Sequence, residues 1–178
     1  MHPIQRNIVL IGMPGSGKST VGVLLAKEAE MDFLDTDVLI QTTEARSLQD
    51  IVDRDGYLAL RAVEERIILS LQVRHTVIAT GGSAVYSEKG VAHLKSGGIL
   101  VFIDVPLSEL ERRVGDFSRR GLAKRPDQSF DELYAERLML YHRCADVTLT
   151  WKGQTPEQVA RDILAGCRQF ESAPRVRI

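Results

Sequence analysis

The sequence predicts an α/β fold in which a parallel sheet is covered on both faces by helices. Three observations carry that expectation. Short apolar runs alternate with stretches of helical periodicity along the chain. The run Ile8–Ile11 reads as a buried strand and feeds a glycine-rich turn that opens a helix. The length, 178 residues, is that of one domain with a sizeable core.

Taken in order, Ile8–Ile11 is the first strand and Val21–Ala29 the helix after the turn. Phe33–Leu34 is a short strand ending in Asp35-Thr36-Asp37. Residues 36–72 read as mostly helical, with a break near Asp55-Gly56. Thr76–Ala79 and Ile99–Ile103 are further strands, and Val147–Thr150 is a fifth. Thr155-Pro156 opens the last helix, and the tail 171–178 is expected to fray. Residues 114–128 stand apart as a polar loop with little to bury, and loops of this length often serve as lids.

Acids and bases nearly cancel, at net charge −1, so no overall field draws nucleic acid or an anionic membrane. No apolar run has the length of a membrane span, and residues 1–6 lack the form of a signal peptide, so a cytoplasmic protein is expected. Cys144 and Cys167 belong to no metal-ligand spacing, and the four histidines are scattered, so no structural zinc is expected.

Gly12-Met-Pro-Gly15-Ser16-Gly17-Lys18-Ser19 fits the pattern G-x-x-x-x-G-K-[ST], with Thr20 following into the helix. The glycines let successive backbone N–H groups turn inward, and the helix adds the positive end of its dipole, which together suit the phosphates of a nucleotide. Lys18 would lie along the β- and γ-phosphates, and the Ser19 hydroxyl would ligate Mg²⁺. The alternative is a plain strand-to-helix turn, but a complete motif in the right context disfavours it. The motif alone does not choose among motors, GTPases, kinases and regulators.

Asp35 and Asp37 lie two apart, and in extended chain both carboxylates would face the crevice above the strand ends. One could support Mg²⁺ and the other hold an acceptor hydroxyl and take its proton; helix capping is the competing use. Arg61 precedes Glu64 and Glu65 by three and four residues, which alone suggests a surface ion pair. Arg137 shares an apolar stripe with Leu133 and Tyr141, so its charge must be paired, for instance by Glu64, or must reach an anionic ligand such as a carboxylate. Gly81-Gly82 after the third strand permits close approach of a ligand, or makes an ordinary turn. Arg119, Arg120, Lys124 and Arg125 are either solvated or set to neutralise a transferring phosphoryl group.

In this order and spacing, the stretches GMPGSGKST, FLDTD, GYLALRAVE, IATGG, KRP and ERLMLYHRCADVTL make the chain resemble the shikimate kinases over nearly its whole length. The resemblance implies a three-layer α/β/α P-loop kinase fold with a five-stranded parallel sheet and a mobile lid at about 114–128. It implies a single domain over residues 1–170, with an acceptor-binding region at about 36–72 and a tail at 171–178. It also implies transfer of the γ-phosphate of ATP to the 3-hydroxyl of shikimate, with ATP and Mg²⁺ as cofactors. By position, Lys18 is similar to the phosphate-binding lysine, Ser19 and Asp35 to the metal-holding pair, and Asp37 to the carboxylate on the acceptor hydroxyls. Arg61 and Arg137 look like a clamp on the acceptor carboxylate above Gly81 and Gly82. Arg125 looks like the lid arginine, and Arg113 and Pro156 look like residues flanking the adenine. The chain departs from the family pattern at Leu60, at Ser83 and at Asp127-Gln128, all on the acceptor and lid side.

The expected mechanism is therefore in-line attack by an acceptor hydroxyl oriented by Asp37, with Lys18, Mg²⁺ and Arg125 neutralising the phosphoryl oxygens. The expected partner is a small hydroxylated carboxylic acid, shikimate first, with neither nucleic acid nor membrane, and the chain is expected to act as a monomer. Transfer to a different small hydroxy acid, to a nucleotide or to a neutral sugar are the competing chemistries. A nucleotide-binding module without transfer activity is the competing class.

Overall fold

The computed structural model describes residues 4–115 and 121–173. Five parallel strands form one sheet in the order β2-β3-β1-β4-β5. They are β1 (Asn7–Ile11), β2 (Asp32–Asp35), β3 (Thr76–Ala79), β4 (Gly98–Asp104) and β5 (Val147–Thr150). Helices α1 (Lys18–Ala29), α2 (Thr36–Glu44), α3 (Leu48–Asp55), α4 (Tyr57–Ser70), α5 (Glu88–Gly97), α6 (Leu107–Val114), α7 (Phe130–Cys144) and α8 (Pro156–Ser172) connect and cover them. Helices lie on both sides of the sheet, with α1 packed on α8 and α4 on α5. The fold is thus the three-layer α/β/α arrangement expected from the sequence.

The central strands β1 and β4 are buried along almost their whole length, which explains their unbroken apolar character. The chain leaves β1 on one side for β3 and β2 and on the other for β4 and β5, so the strand order reverses beside β1. Ligands in open α/β sheets bind outside the carboxyl ends of the strands at such a reversal. Helix starts follow local chemistry: Ser129 with Glu132, and Thr155 with Gln158, form capping boxes, and Pro156 occupies the first turn of α8.

A main core surrounds the sheet, and a smaller cluster of Ile40, Ile51, Leu60, Ile67 and Ala123 joins α2, α3 and α4. Three expectations need correction. The helical stretch 36–72 breaks at 45–47 as well as near Gly56, because Ala45 takes a left-handed conformation and Ser47 caps a new helix. Asp37 sits in the first turn of α2 rather than in extended chain. Residues 121–128 are not a loop with little to bury: Ala123 and Gln128 are buried, and the Gly121 amide donates to Gln49 Oε1 at 2.6 Å. Arg119 and Arg120 lie outside the described residues, as does the tail beyond residue 173. Among the described residues no helix is long and apolar enough to cross a membrane.

Candidate active site

The loops after β1 and β3, the first turns of α1 and α2, and faces of α4 and α7 enclose a cavity of about 600 Å³. One half is the phosphate cradle. Gly12 has φ 148°, and a β-carbon there would stand 2.9 Å from the Ile103 carbonyl oxygen, so only glycine fits. Gly17, at φ 94°, precedes α1 with no side-chain cap, leaving the first amides of the helix unclaimed by any capping side chain. Lys18 Nζ is buried and donates to the carbonyls of Gly12 at 2.8 Å and Met13 at 2.9 Å. Burial lowers its pKa to about 8, partly offset by the carboxylate of Asp37.

Ser19 Oγ donates to Asp35 Oδ2 at 2.6 Å. The other Asp35 oxygen accepts from the amides of Asp37 at 2.9 Å and Val38 at 3.3 Å, so Asp35 caps α2 and meets Ser19 at once. Ser16 Oγ is buried without a partner among the described residues. Arg113 borders the cavity with its guanidinium 4.7 Å from the Trp151 ring centroid, and an ion pair to Glu109 at 2.7 Å fixes it there.

The other half is built on α4, α7 and the turn after β3. Arg137 is 1% exposed. Its Nη2 donates to the Ala123 carbonyl at 3.0 Å, and Arg61 Nη2 donates to the same oxygen at 3.1 Å. Arg61 holds its guanidinium carbon over Tyr86, 3.5 Å from the ring centroid, instead of pairing with Glu64 or Glu65 on its own helix. Nε of each guanidinium is buried and has no hydrogen-bond partner among the described residues. Gly82 floors this region: a β-carbon there would stand 2.8 Å from Arg137 Nη1, and its carbonyl accepts from the Tyr141 hydroxyl at 2.7 Å.

Two carboxylates face the same space. Asp37 borders the cavity, and burial raises its pKa against the opposing pull of Lys18. Glu64 is 3% exposed, and burial pushes it up to about 7. The Ser83 hydroxyl donates to Glu64 Oε2. The two acids meet over Gly81, since a β-carbon on it would collide with Glu64 Oε1 and stand 2.6 Å from Asp37 Oδ1.

Of the residues singled out from sequence, Gly15, Gly17, Lys18, Ser19, Thr20, Asp37, Gly81, Gly82, Arg113 and Arg137 border this one cavity. Gly12, Asp35 and Arg61 stand directly behind it through the contacts above, and the Ser16 carbonyl accepts from Arg113 Nη1 at 3.4 Å. Two are not brought to it. Arg125 is half exposed and pairs with Glu136 at 3.3 Å, because Gln128 also binds Glu136, at 2.6 Å, and draws the loop onto α7. Pro156 serves as the first residue of α8 and does not border the cavity. Glu64, Tyr86, Ala123 and Trp151 were missed as site residues. Glu64 carried a signal, since it stands on the buried face of α4 with Leu60, Ile67 and Ile68, the same anomaly that marked Arg137.

A family model described as "Shikimate kinase" matches residues 14–168. Shikimate kinase 2 of Enterobacter sp. (strain 638) is 34% identical over 166 residues, covering 90% of this chain and 95% of that protein. The structure of shikimate kinase from Acinetobacter baumannii in complex with shikimate superposes with a TM-score of 0.87 at 27% identity, over 96% of this chain and 97% of the other. That of shikimate kinase from Aquifex aeolicus gives 0.79 at 34% identity, over 93% and 98%.

Proposed function

The chain belongs to the shikimate kinase family and transfers a phosphoryl group from ATP to a hydroxyl of shikimate, and from that premise we propose how its residues divide the work. The observation that carries the reading is the convergence of two guanidinium groups, from α4 and α7, on one oxygen, the Ala123 carbonyl. Each keeps a buried, unpartnered Nε. A planar acceptor carboxylate suits such a pair, because it offers two oxygens to donors already fixed in a dry site. Arg61 and Arg137 therefore hold the acid group, with Gly81 and Gly82 as the floor on which the ring rests.

The phosphates lie on the amides of residues 12–20, and Arg113 with Trp151 forms a flat surface at the cavity edge for the adenine. Ser19 and Asp35 present a hydroxyl and a carboxylate in contact, an oxygen pair that fits Mg²⁺. When bound there, the ion would offset negative charge on the nucleotide phosphates.

Asp37 accepts the hydrogen bond of the reacting hydroxyl and takes its proton. The hydroxyl oxygen bonds to the γ-phosphorus in line as the bond to the β-phosphate oxygen breaks, and ADP departs. Lys18 leaves the carbonyls of Gly12 and Met13 for the transferring oxygens. Residues 114–128 act as the lid over this chemistry, and Arg125 reaches the phosphoryl group when it exchanges Glu136 for the nucleotide. The buried free thiols of Cys144 and Cys167 fit a reducing compartment, and we place the enzyme in the cytoplasm, acting as a monomer with all its parts on one chain.

The test compares ADP release with shikimate and with its methyl ester, which lacks the acid charge but keeps the hydroxyls. Shikimate is expected to be turned over with at least a hundredfold higher kcat/KM. Equal use of the ester contradicts the clamp.

A further inference from the structure

We propose that Ser83 is a positioning residue that makes Glu64 a second acceptor-reading carboxylate beside Asp37. The proposal rests on the acceptor site assigned above and deepens it. The Ser83 hydroxyl, on the turn after β3, donates to Glu64 Oε2 and so fixes the rotation of a carboxyl group carried by α4. The other oxygen, Oε1, is buried and has no hydrogen-bond partner among the described residues. It lies over the bare α-carbon of Gly81, where Asp37 Oδ1 also approaches: a β-carbon there would collide with Glu64 Oε1 and stand 2.6 Å from Asp37 Oδ1, so the missing side chain lets the two carboxylate oxygens come together at the cavity wall. Glu64, Ser83, Gly81 and Asp37 all border the cavity.

A buried carboxylate oxygen with no donor is costly, and it is stabilised when a ligand brings one. Shikimate brings several hydroxyls. With the acid end on Arg61 and Arg137 and the reacting hydroxyl on Asp37, Glu64 Oε1 is set to accept from another hydroxyl of the same ring. A glycine at 83 would leave Oε2 without its donor and free the carboxyl to swing toward Arg137. The serine thus keeps an acid and a guanidinium apart in a site that needs both. The charged groups facing Glu64 are Asp37 from α2, Lys18 from α1 and Arg137 from α7, with the Tyr141 hydroxyl also from α7. The Ser83 hydrogen bond favours the ionised form, the one able to accept two hydrogen bonds.

The test uses steady-state kinetics of the full chain with ATP and shikimate from pH 5.5 to 8.5. It covers wild type, Ser83→Ala, Ser83→Gly, Glu64→Gln and Ser83→Ala/Glu64→Gln, with thermal unfolding of each as a check on folding. Ser83→Ala and Ser83→Gly should each raise KM for shikimate about tenfold while leaving KM for ATP unchanged. They should also move the acid limb of kcat/KM upward by about one pH unit, because the ionised carboxylate has lost a donor. In the Glu64→Gln background the Ser83→Ala change should move no limb. Unchanged KM and pH profile in both Ser83 variants, or a limb shift that persists in the Glu64→Gln background, overturns the proposal. Wild type that fails to phosphorylate shikimate overturns the acceptor assignment itself, and this proposal with it; normal wild-type turnover with Ser83 variants that match wild type in KM and pH profile overturns this proposal alone.

Discussion

Glu64 offers a prediction whose size follows from its surroundings. Burial raises its pKa from the ordinary 4.5 to about 7, although the Ser83 hydroxyl and the positive charges of Arg137 and Lys18 pull the other way. Between those values the folded state binds more protons at this site than the unfolded chain does. Stability from this group is therefore full below pH 4.5, falls as pH rises, and levels off above 7. The displacement is worth about 3 kcal/mol in all, most of which falls between pH 5 and pH 8. Glu64→Gln keeps the shape and removes the titration. Urea unfolding of both proteins at the two pH values, without ligands, reads this buried site, because titrations elsewhere in the chain are common to both proteins. The stability of Glu64→Gln relative to wild type should be about 2–3 kcal/mol more favourable at pH 8 than at pH 5. An advantage that does not change with pH would mean that Glu64 is hydrated or paired with a cation, and the burial argument would be refuted.

Lys18→Ala should abolish phosphoryl transfer, to below about a thousandth of wild-type kcat, with the fold retained by circular dichroism. Gly81→Ala introduces a methyl group against Glu64 and Asp37, at a position whose backbone is not left-handed. Initial rates should show kcat/KM for shikimate falling more than tenfold while ATP binding, measured by fluorescence titration, is unaffected. Arg113→Ala removes the stacking partner of Trp151 and should raise KM for ATP about three- to tenfold with no change in KM for shikimate.

The phosphate cradle was legible because its chemistry is local: glycines, lysine and serine lie within one turn, between a buried strand and a helix start. Arg137 was legible because a charge in an apolar stripe needs an explanation, whatever folds around it. The parallel sheet followed from the buried runs, and its five strands occur where the sequence placed them, within a residue or two at the ends. Contacts between distant segments were not legible. Nothing near Ala123 in the chain shows that its carbonyl will meet guanidinium groups from residues 62 positions before and 14 after. The burial of residues 121–123 depends on Gly121, in a left-handed conformation, fitting against Leu48 and Gln49. The break at Ala45 lacks the usual glycine, so composition hid it. Asp35 and Asp37 were expected to face one crevice from extended chain, whereas the first turn of a helix brings Asp37 to the cavity and Asp35 caps that helix.

Calorimetric titration of shikimate into the ADP-bound protein, for wild type, Arg61→Ala and Arg137→Ala, tests the two-arginine clamp most directly. One site per chain is expected in wild type, with affinity reduced at least thirtyfold in each variant, the loss that follows when a buried, hydrogen-bonded charge loses its partner. Wild-type affinity in the Arg137→Ala protein would contradict the account.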